Sequence, residues 1–225
     1  MNTINTDVCT LVGVRALLFD LDGTIVDTNE IIQRAILDTL EHFIGRAWSL
    51  SALIPHWGMR LRDQLHALCP ELDLDAAVPY YRERYAIYHE MLLAEIPGTR
   101  AVLDALRQQG LRLGVVTSKK RLNARQTLQD VGFLEFFEVV VVEEDTTRHK
   151  PAPEPLLYAL TCLDLAPDDV VYVGDNPDDI LAARAAHMRA VAVSWGFRGR
   201  EAMAAVQPDL IIYAPSDILA HLALS

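Results

Sequence analysis

Cysteine is scarce in this chain. Its three copies, Cys9, Cys69 and Cys162, are widely spaced, odd in number and form no CxxC pair. That excludes a disulfide-stapled scaffold and gives the expectation of a reducing, cytoplasmic home. Long apolar runs are missing too: none approaches the ~18 residues of a membrane span. The opening stretch MNTINTDVCTLVGVR lacks the basic region and apolar core of a signal peptide. Positive charge is in short supply, with 20 Lys and Arg against 31 Asp and Glu and a net charge of -11. No basic stripe is available for a phosphate backbone, so nucleic acid is not expected as a partner. Neither GxGxxG nor GxxxxGK(S/T) occurs, which removes dinucleotide-binding and P-loop readings. Internal repeats and low-complexity segments are absent as well.

What remains is a chain of 225 residues with 51% hydrophobic content, enough for one core domain and a smaller insert. Short apolar runs recur at Ala16–Phe19, Leu113–Val116, Val139–Val142, Val170–Val173, Val191–Val193 and Leu210–Ile212. Near-continuous apolarity over four or five residues suits strands covered on both faces, as in a parallel sheet. From residue 111 onward helical patterns separate them. TRAVLDALRQQG has Thr99 as a candidate N-cap and Gly110 as a stop, and NPDDILAARAA has Asn176 as N-cap with Pro177 at the first helical position. The alternation predicts an α/β fold, a doubly wound and mostly parallel sheet. Between Asp27 and Arg112 no convincing strand is visible. EIIQRAILDTLEHF, MRLRDQLHAL and DAAVPYYRERYAIYHEML read as helices, the last with a break or kink at Pro79. This predicts an all-helical insertion: residues 1–28 and 97–225 form the core domain and 29–96 the insert.

In an open α/β sheet, ligands sit outside the carboxyl ends of the strands. The first strand ends at Asp20, with Asp22 two residues on. The second ends at Thr117 and Ser118, the loop after the third contains Lys150, and the fourth runs into Asp175 and Asp179. Buried, unpaired carboxylates are costly, so acids gathered at one sheet edge call for a cation. Mg²⁺ favours one or two carboxylates together with phosphate oxygens; Asp20 and Asp175 supply them. A carboxylate nucleophile can divide a difficult phosphoryl transfer into two easier steps, with Asp22 as general acid and base. Thr117 and Lys150 can hold the phosphoryl oxygens.

DLDGT, VVTSK, HKPAPEP and VGDNPDD resemble, in order and spacing, the four motifs of the haloacid dehalogenase superfamily, and the likeness spans residue 16 to about 200. The resemblance implies a Rossmann-like core with a helical cap inserted between the first two motifs. It implies Asp20 as nucleophile, and Asp22 as acid/base that also binds metal through its backbone carbonyl. By the same likeness Thr117 is the phosphate ligand, Lys150 the third-motif lysine, and Asp175 and Asp179 the acids of a Mg²⁺ site.

Within that superfamily DLDGT argues against a dehalogenase, which lacks the second aspartate and the metal. The first lysine of the chain is Lys119, so the insert offers none for the imine of a phosphonatase. DTNEIIQRA stands where the β-phosphoglucomutase branch typically has a histidine. The chain looks most like the phosphoglycolate phosphatase and PpaX-type pyrophosphatase branch. That implies a Mg²⁺-dependent phosphatase acting on a small phosphorylated metabolite, as a monomer or weak dimer. A phosphomutase and a non-catalytic phosphate-metabolite binding module are the alternatives. PHWGMRLR is the candidate specificity loop, in which Arg60 and Arg62 can pair with a carboxylate or a second phosphate. Ser118 is a further candidate substrate contact.

Overall fold

The six aliphatic runs are strands of one parallel sheet in the computed structural model, which describes residues 11–223. They are β2 (Ala16–Phe19), β5 (Arg112–Val116), β6 (Val139–Val141), β7 (Val170–Gly174), β8 (Arg189–Val193) and β9 (Leu210–Ile212). Their order across the sheet is β6-β5-β2-β7-β8-β9, with every pair parallel. The order reverses beside β2, the first of these strands, and a doubly wound sheet opens its ligand crevice at that reversal.

Alternate residues of each strand feed two apolar layers. Leu17, Phe19, Leu113, Val115, Val171 and Val173 pack on one face with α5 (Thr99–Gln108), α6 (Arg121–Asp130) and α10 (Asp217–His221). Ala16, Leu18, Val116, Val141, Val170 and Tyr172 pack on the other with α7 (Glu154–Leu163), α8 (Pro177–Ala185) and α9 (Gly199–Ala205). Burial on both faces is why these strands read as unbroken apolar runs. A short parallel pair, β1 (Leu11–Val12) with β10 (Leu222–Ala223), joins the two ends of the described chain.

The long interval after Asp27 forms α1 (Asn29–Ile44), α2 (Leu50–Leu53), α3 (Leu61–Leu68) and α4 (Leu74–Leu92). Ile31, Ile36, Leu40, Leu53, Leu65 and Tyr81 bury one another in an apolar cluster separate from the two sheet layers. The interval is not free of strand, because β4 (Ala94–Glu95) pairs antiparallel with β3 (Val26–Asp27) and ties its two ends together. Two residues are too short for a periodic signal, so pairing alone reveals them. Pro79 does not end α4, which starts on an Asp73 cap that accepts from the Asp75 and Ala76 amides at 3.0 and 3.3 Å. Burial of Val78 just before the proline and of Tyr81 and Tyr85 beyond it holds the helix together. Thr99 is the first helical residue of α5 and not its cap; Gly98, at φ 90°, holds that position. Asn176 caps α8 as expected, accepting from the Asp178 amide at 3.1 Å.

Cys69 is buried and Cys162 exposed, both as free thiols, while Cys9 lies outside the described residues. Among the described residues no helix is long and apolar enough to cross a membrane.

Candidate active site

The polar strand ends meet where β2 lies between β5 and β7. The Asp20 amide still donates to Val173 O at 2.8 Å, so the sheet's pairing fixes its backbone to the last residue before its carboxylate leaves the core. The Thr117 amide is held in the same way by Val141 O at 3.0 Å, and its side chain is buried. Gly23 makes the exit from β2 possible. It sits at φ +80°, and a Cβ there would stand 2.6 Å from Asp175 Oδ2.

Lys150 organises the floor. Its ammonium donates to Asp20 Oδ1 and Asp179 Oδ1, both at 2.7 Å, and to the Tyr172 hydroxyl at 2.9 Å. Tyr172 in turn donates to Val116 O at 2.9 Å. Burial by itself favours the neutral amine, but Asp179 and Asp20 outweigh it and hold the Lys150 pKa well above the ordinary lysine value. Asp179 is fixed from its other side, its Oδ2 accepting from the Asn176 amide at 3.0 Å.

The acids around this lysine are in want of more positive charge. Carboxylate oxygens of Asp20, Asp175 and Asp179 all lie within 4.8 Å of one another, and all three residues are buried. Burial, with Asp179 and Asp22 adding to it, pushes the Asp20 pKa from 3.8 up to about 7 against the pull of Lys150. Burial, then Asp20 and Asp179, drives Asp175 well above the usual carboxylate range. Asp175 Oδ1 accepts from Thr24 at 3.2 Å, but its buried Oδ2 has no hydrogen-bond partner. An orphaned oxygen beside two other carboxylates is a donor set that a hard, oxygen-seeking dication such as Mg²⁺ satisfies. Asp20 and Asp175 are its strongest candidate ligands, since Lys150 and Asn176 already engage both Asp179 oxygens.

Asp22 stands apart from this triad. Its Oδ1 accepts from Thr28 at 2.6 Å and from Lys119 at 2.5 Å. The metal role expected of it rested on its backbone carbonyl, and its carboxylate makes no part of the acid cluster. A cavity of about 820 Å³ covers all these groups and continues between the sheet edge and the helical segment. That volume accommodates a small metabolite. Ser118, Arg60 and Arg62 line it together with Trp57 and Tyr85. Each arginine is held by a neighbour on its own segment: Arg60 by Asp63 at 2.6 Å, and Arg62 by Asp75 at 2.8 Å. They face the cavity wall with an ion partner already in hand.

Sequence reasoning overlooked three participants. Tyr172 was absorbed into an aliphatic strand, although a tyrosine among valines carries a hydroxyl that needs a partner. Lys119 follows Thr117 closely and is the first lysine in the chain, which was its only signal. Asn176 is more than a cap, since its Nδ2 donates to Trp57 O at 2.7 Å on the opposite side of the cavity.

The sequence matches the profile of haloacid dehalogenase-like hydrolases over residues 17–193. It is 33% identical over 213 residues to the pyrophosphatase PpaX of Anoxybacillus flavithermus, covering 95% of this chain and 99% of that protein. It is 36% identical over 207 residues to the PpaX of Bacillus pumilus, covering 92% and 95%. The fold superimposes on a predicted phosphoglycolate phosphatase from Haemophilus somnus with a TM-score of 0.80 at 26% identity, covering 92% of this chain and 97% of that one.

Proposed function

The chain belongs to the haloacid dehalogenase-like hydrolases, and from that membership we propose a Mg²⁺-dependent phosphatase whose substrate is a small phosphorylated metabolite, inorganic pyrophosphate or a phosphoglycolate-like ester. The observation that carries the reading is the buried triad of Asp20, Asp175 and Asp179 closed on one side by Lys150. Such a floor accepts a phosphoryl group and a cation together and is costly without them.

Asp20 is the nucleophile. Its carboxylate oxygen forms a bond to phosphorus as the bond from phosphorus to the leaving oxygen breaks, giving an aspartyl-phosphate. Asp22 gives its proton to that leaving oxygen, then takes one from the water that attacks phosphorus and frees Asp20 and inorganic phosphate. Lys150 and the Thr117 hydroxyl hold the phosphoryl oxygens, with Ser118 beside them. Asp20, Asp175 and the Asp22 backbone carbonyl, with Asp179, would hold Mg²⁺, which would supply charge neutralisation there. Residues 29–96 act as a cap over this floor, with core residues 1–28 and 97–225 below. The loop Trp57–Arg62 is the part of the cap that meets the substrate's far end.

Replacing Asp20 tests the assignment. Asp20→Asn is expected to lower phosphate release from pyrophosphate or phosphoglycolate by about 10³-fold or more, with an unchanged circular dichroism spectrum. Release near the wild-type rate would overturn the nucleophile assignment.

A further inference from the structure

Lys119 is a buried cation that the reaction as written does not use. Its side chain is 9% exposed, and among the described residues its only ion pair is with Asp22, at 2.5 Å. An ammonium has three protons, and one of them is taken by Asp22 Oδ1. Against it lies Tyr85 of α4, whose ring centroid is 5.1 Å from Nζ and whose buried hydroxyl interacts with Lys119 and Thr127. Tyr81 and His89, also on α4, and Asp20 of the floor are titratable neighbours of the pair. Lys119, Asp22 and Tyr85 all line the cavity. The site is therefore built: a buried ammonium held by Asp22 and Tyr85 with one further proton to offer, fixed to the side chain assigned to the leaving group, beneath a helix of the cap.

We propose that Lys119 binds the departing half of the substrate and selects leaving groups that carry their own negative charge. This rests on the phosphatase reading above and specifies the substrate class of the same site. The chemical reason is local. Whatever oxygen accepts a proton from Asp22 must lie within hydrogen-bond reach of that carboxylate, so Lys119 stands beside it. A leaving group bearing a second phosphate charge or a carboxylate is repelled by Asp22 once Asp22 has lost its proton. The Lys119 ammonium offsets that repulsion and forms a charge-assisted hydrogen bond to an additional anionic oxygen. A neutral sugar alcohol offers no charge for it to meet. Lys119 transfers no proton: the proton passes from Asp22 to the leaving oxygen, and the breaking bond is the one between phosphorus and that oxygen. Arg60 and Arg62 are less suited to this role, since each is held by its own carboxylate neighbour.

The experiment compares kcat and KM of the full-length enzyme with Mg²⁺ on two substrate groups. Pyrophosphate and phosphoglycolate have anionic leaving groups; glycerol 1-phosphate and glucose 6-phosphate have neutral ones. Lys119→Gln is expected to lower kcat/KM for the first group at least tenfold more than for the second. Lys119→Arg should restore most of the selectivity, and both variants should melt as cooperatively as wild type. An equal loss on both groups would make Lys119 a structural support for Asp22 and overturn the proposal, as would unchanged selectivity. A variant that does not fold is replaced by Lys119→Met under the same criteria. Wild-type enzyme that hydrolyses none of the four overturns the phosphatase reading itself, which the wild-type data alone reveal.

Discussion

At the scale of single residues the acids of the floor make folding pH-dependent. Asp20 titrates at about 7 in the folded protein instead of 3.8. Between those values the metal-free folded protein holds a proton that the unfolded chain has released, so stability falls as pH rises through that window. Asp175 shifts in the same direction and adds to the slope. Calorimetry in EDTA should show a melting temperature declining by several degrees from pH 4.5 to pH 7.5, with a flatter decline in Asp20→Asn. Mg²⁺ should raise the melting temperature more at pH 7.5 than at pH 5, because it binds the deprotonated carboxylates. An identical slope in the variant would remove Asp20 as the source.

At the scale of elements, the Trp57–Gly58 loop touches the start of α8. Asn176 caps the helix with Oδ1 and reaches Trp57 O with Nδ2, so one side chain serves both contacts. Gly58 is at φ +87°, and a Cβ there would lie 2.3 Å from Asn176 Nδ2. Gly58→Ala is expected to push the loop off α8 and raise KM for phosphoglycolate several-fold, with a smaller effect on phosphate release from p-nitrophenyl phosphate. Asn176→Ser should keep the cap and lose the bridge, giving a milder form of the same change with about 1 kcal/mol of stability lost. Steady-state kinetics and thermal melts measure both; unchanged KM in both variants would remove the loop from substrate binding. Some of this level was legible in sequence. Pro177 and Asn176 announced the helix start because capping is local chemistry. The β3–β4 pair and the Gly98 cap were not, since each depends on where a distant partner or turn arrives.

At the scale of the whole molecule, three contacts among the described residues bridge the helical segment and the loop after β7 or β8. They are Asn176 to Trp57 O, Arg198 to Ile54 O at 2.5 Å, and the Trp57 ring against Phe197 at 4.2 Å between centroids. With β3 and β4 as the two connecting strands, the helical segment is expected to swing about them and close here. Solution scattering is expected to show a smaller radius of gyration with Mg²⁺ and a phosphate mimic than without them. Trp57→Ala should reduce the difference by weakening the closed contact. Identical curves with and without the mimic would count against a moving cap.

The sequence by itself determined the strands, most helices and the identity of the chemistry-bearing side chains. Apolar periodicity and capping are local, and DLDGT, VVTSK, HKPAPEP and VGDNPDD keep their order whatever the chain does between them. Asp20, Thr117, Lys150 and Asp175 could therefore be named before their positions were known. Only the tertiary structure decided what each of them touches. Lys150, on the loop after β6, reaches Asp179 and Tyr172 because the sheet sets β6, β5, β2 and β7 side by side. Lys119 finds Asp22, 97 residues away in the chain, because β2 and β5 pair in register. Charge pairing and desolvation act through space and burial, which no spacing along the chain records. The same folding that gathers the acids also encloses them, raising the pKa values of Asp20 and Asp175 and leaving Asp175 Oδ2 without a partner.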